Sequence, residues 1–227
     1  MSTESRALLI VRRLHGLLES LYDVESHCDI ADYLVTDRAH LNGLQPDNDS
    51  RCNEEQLLLA QTEEGAGVAL FIDDPVLRRL EAQDPMRALT EHNLPDYCTA
   101  LEGVSHFLYA MWRLRQDTPM SLLELETQAE VDKFALSVFL LASQDGGRYP
   151  AYVFARLFDT ARFDSRLDAE QLDRYSAAHH SAARYCRFLE KRFVKRGQAR
   201  VEGLLRELRK FYRLGSSAKL DYALAAC

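Results

Sequence analysis

The chain has no CxxC pair. Its five cysteines, Cys28, Cys52, Cys98, Cys186 and Cys227, are scattered and odd in number. That argues against a disulfide framework or a zinc ribbon and predicts reduced thiols in a cytoplasm. No run approaches the roughly 20 apolar residues that a membrane-spanning helix needs. The apolar stretch Ala7–Val11 is too short for a secretory h-region, and Arg12 and Arg13 follow it directly; no signal peptide is expected. Also missing are a GxSxG elbow, a Walker A loop, a GxGxxG after a strand and an HExxH pair. The common serine-hydrolase, P-loop, dinucleotide-binding and zincin signatures are therefore absent. No repeat of 20–50 residues is visible, which removes the solenoid architectures.

What is present is ordinary in bulk. The 227 residues are 47% hydrophobic and 28% charged, with a formal net charge of −7. That length can bury a substantial core in one domain. The negative balance disfavours wholesale binding to nucleic acid.

The pattern is mostly helical. Leu9, Ile10, Leu14, Leu17, Leu18 and Leu21 recur at helical spacing and predict a helix over 5–22. A shorter helix is expected over 30–34, and 37–55 reads as a polar loop containing Asn-Gly, Pro-Asp and Asn-Asp-Ser. Two apolar runs around a Gly-containing turn predict a β-hairpin over 56–73. Such a hairpin must lie on helices or pair with another edge, and edge pairing could also make a homodimer. Further helices are expected over 76–82, 85–92, 94–115, 121–143, 151–158, 167–195 and 199–214. The segment 215–227 reads as a loosely held tail. The fold class is thus mainly α: a single-domain helical bundle with a small hairpin insertion.

Two short patterns carry the chemistry. One is Glu102-Gly-Val-Ser-His106; the other is Glu126-Thr-Gln-Ala-Glu130, followed by Lys133. Each pair is spaced i,i+4 and projects from one side of its helix. Both rows border apolar stripes, so partial burial is expected, and buried carboxylates need a metal, a cation or hydrogen-bond donors. On the helix over 167–195, His179 falls on the apolar face and is a third contributor. Carboxylates with imidazole and no thiolate suit iron, manganese or zinc. The set departs from the helical di-metal pattern, which uses Glu-x-x-His pairs; a mononuclear site fits better. The expected ligands are Glu102, His106, Glu126, Glu130 and His179. Glu130 or Glu102 would act as general base, and His106 as ligand or proton shuttle. The same spacings also describe a salt-bridged helix face worth about 0.2–0.5 kcal/mol per pair. Ser105 and His106 are adjacent and point in different directions, so they make no nucleophile–base pair. Cys98 reads as a small core residue near the site.

The charge is uneven. Between Arg184 and Arg213 there are eleven basic residues against Glu190, Glu202 and Glu207. Tyr185, Phe188, Phe193, Phe211 and Tyr212 are interleaved with them. A basic surface with aromatics could grip phosphates and bases, but the aromatics also fit a helical core. The cations could pair with an acidic helix such as 124–132 or with an acidic protein partner; nucleic acid is the weakest of these readings. An adaptor or regulatory subunit that binds through these basic helices is the alternative to a metal-site protein.

Overall fold

The computed structural model describes residues 5–44, 53–62, 65–149, 152–160, 167–194 and 201–226. Helix α1 (Arg6–Tyr22) buries Ile10, Val11, Leu14, Leu18 and Leu21 and ends where Asp23 turns left-handed, with φ 55°. A 3₁₀ turn, Ile30–Tyr33, leads into β1 (Leu34–Val35) and α2 (Arg38–Leu44). The hairpin follows as β2 (Glu55–Thr62) and β3 (Gly65–Ile72), then α3 (Asp74–Ala82). Two long helices come next, α4 (Leu94–Arg115) and α5 (Leu122–Gln144). The short α6 (Tyr152–Phe154) runs into a π-turn over Ala155–Asp159. Helix α7 (Ala169–Leu189) continues as a π-turn over Glu190–Val194, and α8 (Val201–Tyr212) and α9 (Ser216–Ala225) complete the bundle. This is a mainly α fold with a small β insertion. Among the described residues no helix is long and apolar enough to cross a membrane.

The hairpin is not isolated. β3 pairs antiparallel with β2, from Glu55 opposite Ile72 to Thr62 opposite Gly65, and parallel with β1 through Leu34–Leu70 and Val35–Phe71. The sheet order is β1-β3-β2. Its inner face lies on α4. Gly103 makes that approach possible: a Cβ there would stand 3.0 Å from Leu70 Cδ1 and 3.2 Å from Glu55 Oε2. Gly103→Ala is expected to destabilise the protein by up to about 2 kcal/mol, because the Leu70 and Glu55 side chains must shift to admit the methyl group, a cost only partly offset by about 1 kcal/mol of helix propensity. Urea unfolding of the variant measures this; unchanged stability would mean the strand yields freely.

The α4–α5 pair is an antiparallel helix hairpin, as the short link requires. Arg113 closes it by donating to the Pro119 carbonyl at 2.7 Å. The Ser121 hydroxyl accepts from the Glu124 amide at 3.1 Å and caps α5. Helix α7 lies against the other side of α5, beginning at a capping box in which Asp168 and Gln171 bond each other's backbone. With α1 and α9 also touching it, α5 is a central helix, not a flanking one.

Three expectations need correction. The segment 85–92 is a run of turns, not a helix. Side chains take the backbone groups a helix would use: Asn93 donates to the Gln83 and Ala88 carbonyls at 3.0 and 2.9 Å, and Gln144 to the Pro85 carbonyl at 2.9 Å. The polar stretch 37–55 contains helix α2 and the first residue of β2; its centre, 45–52, lies outside the described residues. The segment after Gly215 is helix α9, held by a lysine in the core.

That lysine, Lys219, is 0% exposed. Its Nζ donates to Gln128 Oε1 at 2.6 Å, Tyr109 Oη at 2.9 Å and the Tyr212 carbonyl at 3.4 Å. It also lies over the Tyr109 ring, 4.2 Å from the centroid. Gln128 passes the network on to Asp132 at 2.7 Å, where Ser105 donates at 2.6 Å and Tyr22 donates as well. Glu124, which accepts from Tyr109 and Ser216, completes it. Five helices thus meet on a polar cluster enclosed by aromatic rings.

Candidate functional site

On the opposite flank of α4 and α5, Glu102, His106 and Glu126 converge. One ligand atom from each lies within 4.8 Å of the others. His106 and Glu126 are each 7% exposed. The imidazole sits between two carboxylates: Nε2 is 3.4 Å from Glu126 Oε2, and Nδ1 is 3.6 Å from Glu55 Oε2. Both contacts are longer than good hydrogen bonds. His106 Nε2 and Glu55 Oε2 are buried and have no hydrogen-bond partner, which is rare for buried polar atoms. Burial opposes the imidazolium, but Glu126 and Glu55 outweigh it and hold the His106 pKa well above its ordinary value. In the absence of an ion the imidazolium faces the carboxylates; an ion at Nε2 would displace that proton. Burial also pushes the Glu102 carboxyl up to about 7, against the pull of Lys133 and with Glu55 adding to the rise.

A chain of ion pairs adjoins this cluster. Lys133 Nζ is 3.1 Å from Glu102 Oε2 and 2.5 Å from Glu130 Oε1. Glu130 Oε2 in turn lies 3.2 Å from His179 Nδ1, and His179 Nε2 lies 3.1 Å from the Phe158 carbonyl. A carbonyl only accepts and Glu130 is ionised, so both ring nitrogens of His179 donate and the ring is an imidazolium. Burial opposes ionisation of Glu130, but Lys133 and His179 overcome it and hold the carboxyl down at about 2. Burial pushes the Cys98 thiol up to about 12, so it stays protonated at neutral pH.

The five residues expected from the sequence therefore divide into two groups. Glu102, His106 and Glu126 come together as one cluster. Glu130 and His179 lie in the ion-paired chain that Lys133 joins to Glu102. The row Glu126, Glu130, Lys133 is thus split: its first member faces His106, while the other two face each other. Ser105 turns to Asp132, away from His106.

Two participants were not foreseen. Glu55 comes from β2, beneath Gly103. It stands two residues from Leu57, which packs on the core, so strand alternation places both on the inward face. Tyr175, on α7, has its phenol pushed up by burial and by the carboxylates of Glu126, Glu102 and Glu55.

Four cations of the basic segment are held within the fold. Arg209 donates to the Leu21 carbonyl at 3.0 Å and Arg213 to the Asp23 carbonyl at 3.1 Å, which ties α8 to the end of α1. Lys210 bonds Tyr222 at 2.9 Å, and Arg187 bonds Glu190 at 3.1 Å. Their partners are backbone carbonyls and nearby side chains, not the acidic face of α5. Tyr185, Phe211 and Tyr212 are core residues. Lys195, Arg196 and Arg200 lie outside the described residues. Comparison with protein-family models, curated proteins and solved structures finds no match to this chain.

Proposed function

We propose that this protein binds one divalent transition-metal ion through Glu102, His106 and Glu126. The observation that carries the reading is the buried His106 Nε2, which lacks a hydrogen-bond partner yet faces a carboxylate 3.4 Å away. Adjacent ligands on a tetrahedral ion with bonds of about 2.1 Å stand about 3.4 Å apart. Only one ring nitrogen can serve, and Nε2 is the one turned to Glu126. Glu55 then takes the outer position at Nδ1, where a carboxylate fixes the tautomer and orients the ring. Two carboxylates and one imidazole without thiolate suit Fe²⁺, Mn²⁺ or Zn²⁺. Three protein ligands leave a coordination position for water or substrate, and such an ion supplies a Lewis acid at that position.

Glu130, Lys133 and His179 support the site without entering it. Lys133 neutralises Glu102 from outside, and Glu130 holds Lys133 in place. Elemental analysis of protein purified without a metal-affinity tag tests the proposal. Stoichiometric iron, manganese or zinc, lost in Glu102→Ala, is the expected result; metal-free protein that takes up none on incubation would contradict it. Glu55→Gln should retain the ion but weaken its binding roughly 10–100-fold, as loss of an outer partner does. A competition titration with a chromophoric chelator reads that change.

A further inference from the structure

A second feature stands apart from the metal cluster and does not depend on it. A cavity of about 660 Å³ opens between the π-turn Ala155–Asp159 and the outer face of α7. That volume is in the range of small-molecule sites. One wall is aromatic, built from Phe154, Phe158 and Phe188. The other carries His180 and three cations, Arg184 and Arg187 from α7 and Lys191 from the π-turn that continues it.

The three cations are not equivalent. Arg187 is already engaged: its guanidinium lies 3.5 Å from the Phe154 ring centroid and 3.6 Å from Asp159. Arg184 spends one donor on the neutral Leu224 carbonyl, at 2.7 Å. Among the described residues no carboxylate stands within ion-pair distance of Arg184 or Lys191. Among the described residues Asp159 is the one acid in the cavity lining, and Arg187 answers it. Among those residues Arg184 and Lys191 are thus left without a carboxylate partner, with a guanidinium fork that suits flat oxyanions, beside apolar ring faces. His179, at the inner end, is committed to Glu130 and the Phe158 carbonyl.

We propose that this cavity binds a small organic anion with a flat apolar body, a carboxylate or a phosphate monoester. Its charged end would meet Arg184 and Lys191, and its body would lie along Phe158 and Phe188.

Calorimetric titration of the full chain with 2-naphthoate, 2-naphthyl phosphate and the neutral 2-naphthamide tests this. At least one anion should bind with 1:1 stoichiometry and at least about tenfold tighter than the amide, and weaken as salt is raised. The tighter of the two identifies the headgroup. Arg184→Gln and Lys191→Gln alter exposed side chains; each should weaken the anion about three- to tenfold and leave the amide unchanged. Equal affinity for anion and amide would overturn the proposal. So would affinity for the anion that both variants leave intact, or no binding of any probe at 1 mM (about −4 kcal/mol).

Discussion

Lys219→Ala is expected to lower the free energy of unfolding by about 3–5 kcal/mol, the effect of breaking a buried charged network from one side. The ammonium donates to Gln128, Tyr109 and Tyr212 and is fully enclosed. Truncation leaves those acceptors unsatisfied and opens a void, while Asp132 keeps its carboxyl in the same enclosure. Helix α9 should lose its anchor first, so amide exchange in 216–225 is expected to rise ahead of global unfolding. Urea unfolding measures the global change. A loss under 1 kcal/mol would mean the network contributes little to stability.

The same lysine gives a pH signature. Burial pushes its pKa down to about 7, against the pull of Glu124 and Asp132. In the unfolded chain the value returns to about 10.4. Between those limits the unfolded state binds more protons, so this group makes stability rise with pH, by at most about 1.4 kcal/mol per unit. Below about pH 7 both states are protonated and the contribution is flat. The difference in stability between wild type and Lys219→Met reads the group above pH 7, where it should move in favour of wild type from pH 7 to pH 10.

Glu126→Ala is expected to weaken metal binding by more than about 100-fold, beyond the roughly 10–100-fold that outer-shell losses produce. Glu126 is the carboxylate closest to His106 Nε2. Removing it leaves Glu102, which Lys133 already occupies, and one imidazole. The metal-free variant should keep the far-ultraviolet circular dichroism of wild type, since α5 is held by α4, α7 and α9 independently of this side chain. Wild type should also gain stability from the ion, about 2.7 kcal/mol at a concentration 100 times Kd; the variant should gain almost none.

Much of this was legible in the sequence because it is local. The α4 and α5 spans and the hairpin follow from periodicity and turn chemistry. The Glu102/His106 spacing put both residues on one flank, and that flank does meet Glu126. What the sequence did not disclose is non-local. Glu55 joins the site from β2, its side chain lying over Gly103 where a methyl group would crowd it. The 85–92 segment has helical composition, yet Asn93 and Gln144 claim its carbonyls from outside. The residues after Gly215 look like a tail because Lys219 reads as a surface residue; its partners lie 91 and 110 positions away. Rotation of α5 was equally hidden. It separates Glu126 from Glu130, which spacing alone had joined.

The most direct measurement is calorimetric titration of metal-free wild type with Mn²⁺ and with Zn²⁺, alongside His106→Gln. A single site of 1:1 stoichiometry in wild type, lost or weakened at least about 100-fold in the variant, is the predicted result. No saturable binding in wild type, or the same isotherm in His106→Gln, would contradict a metal centre built on His106.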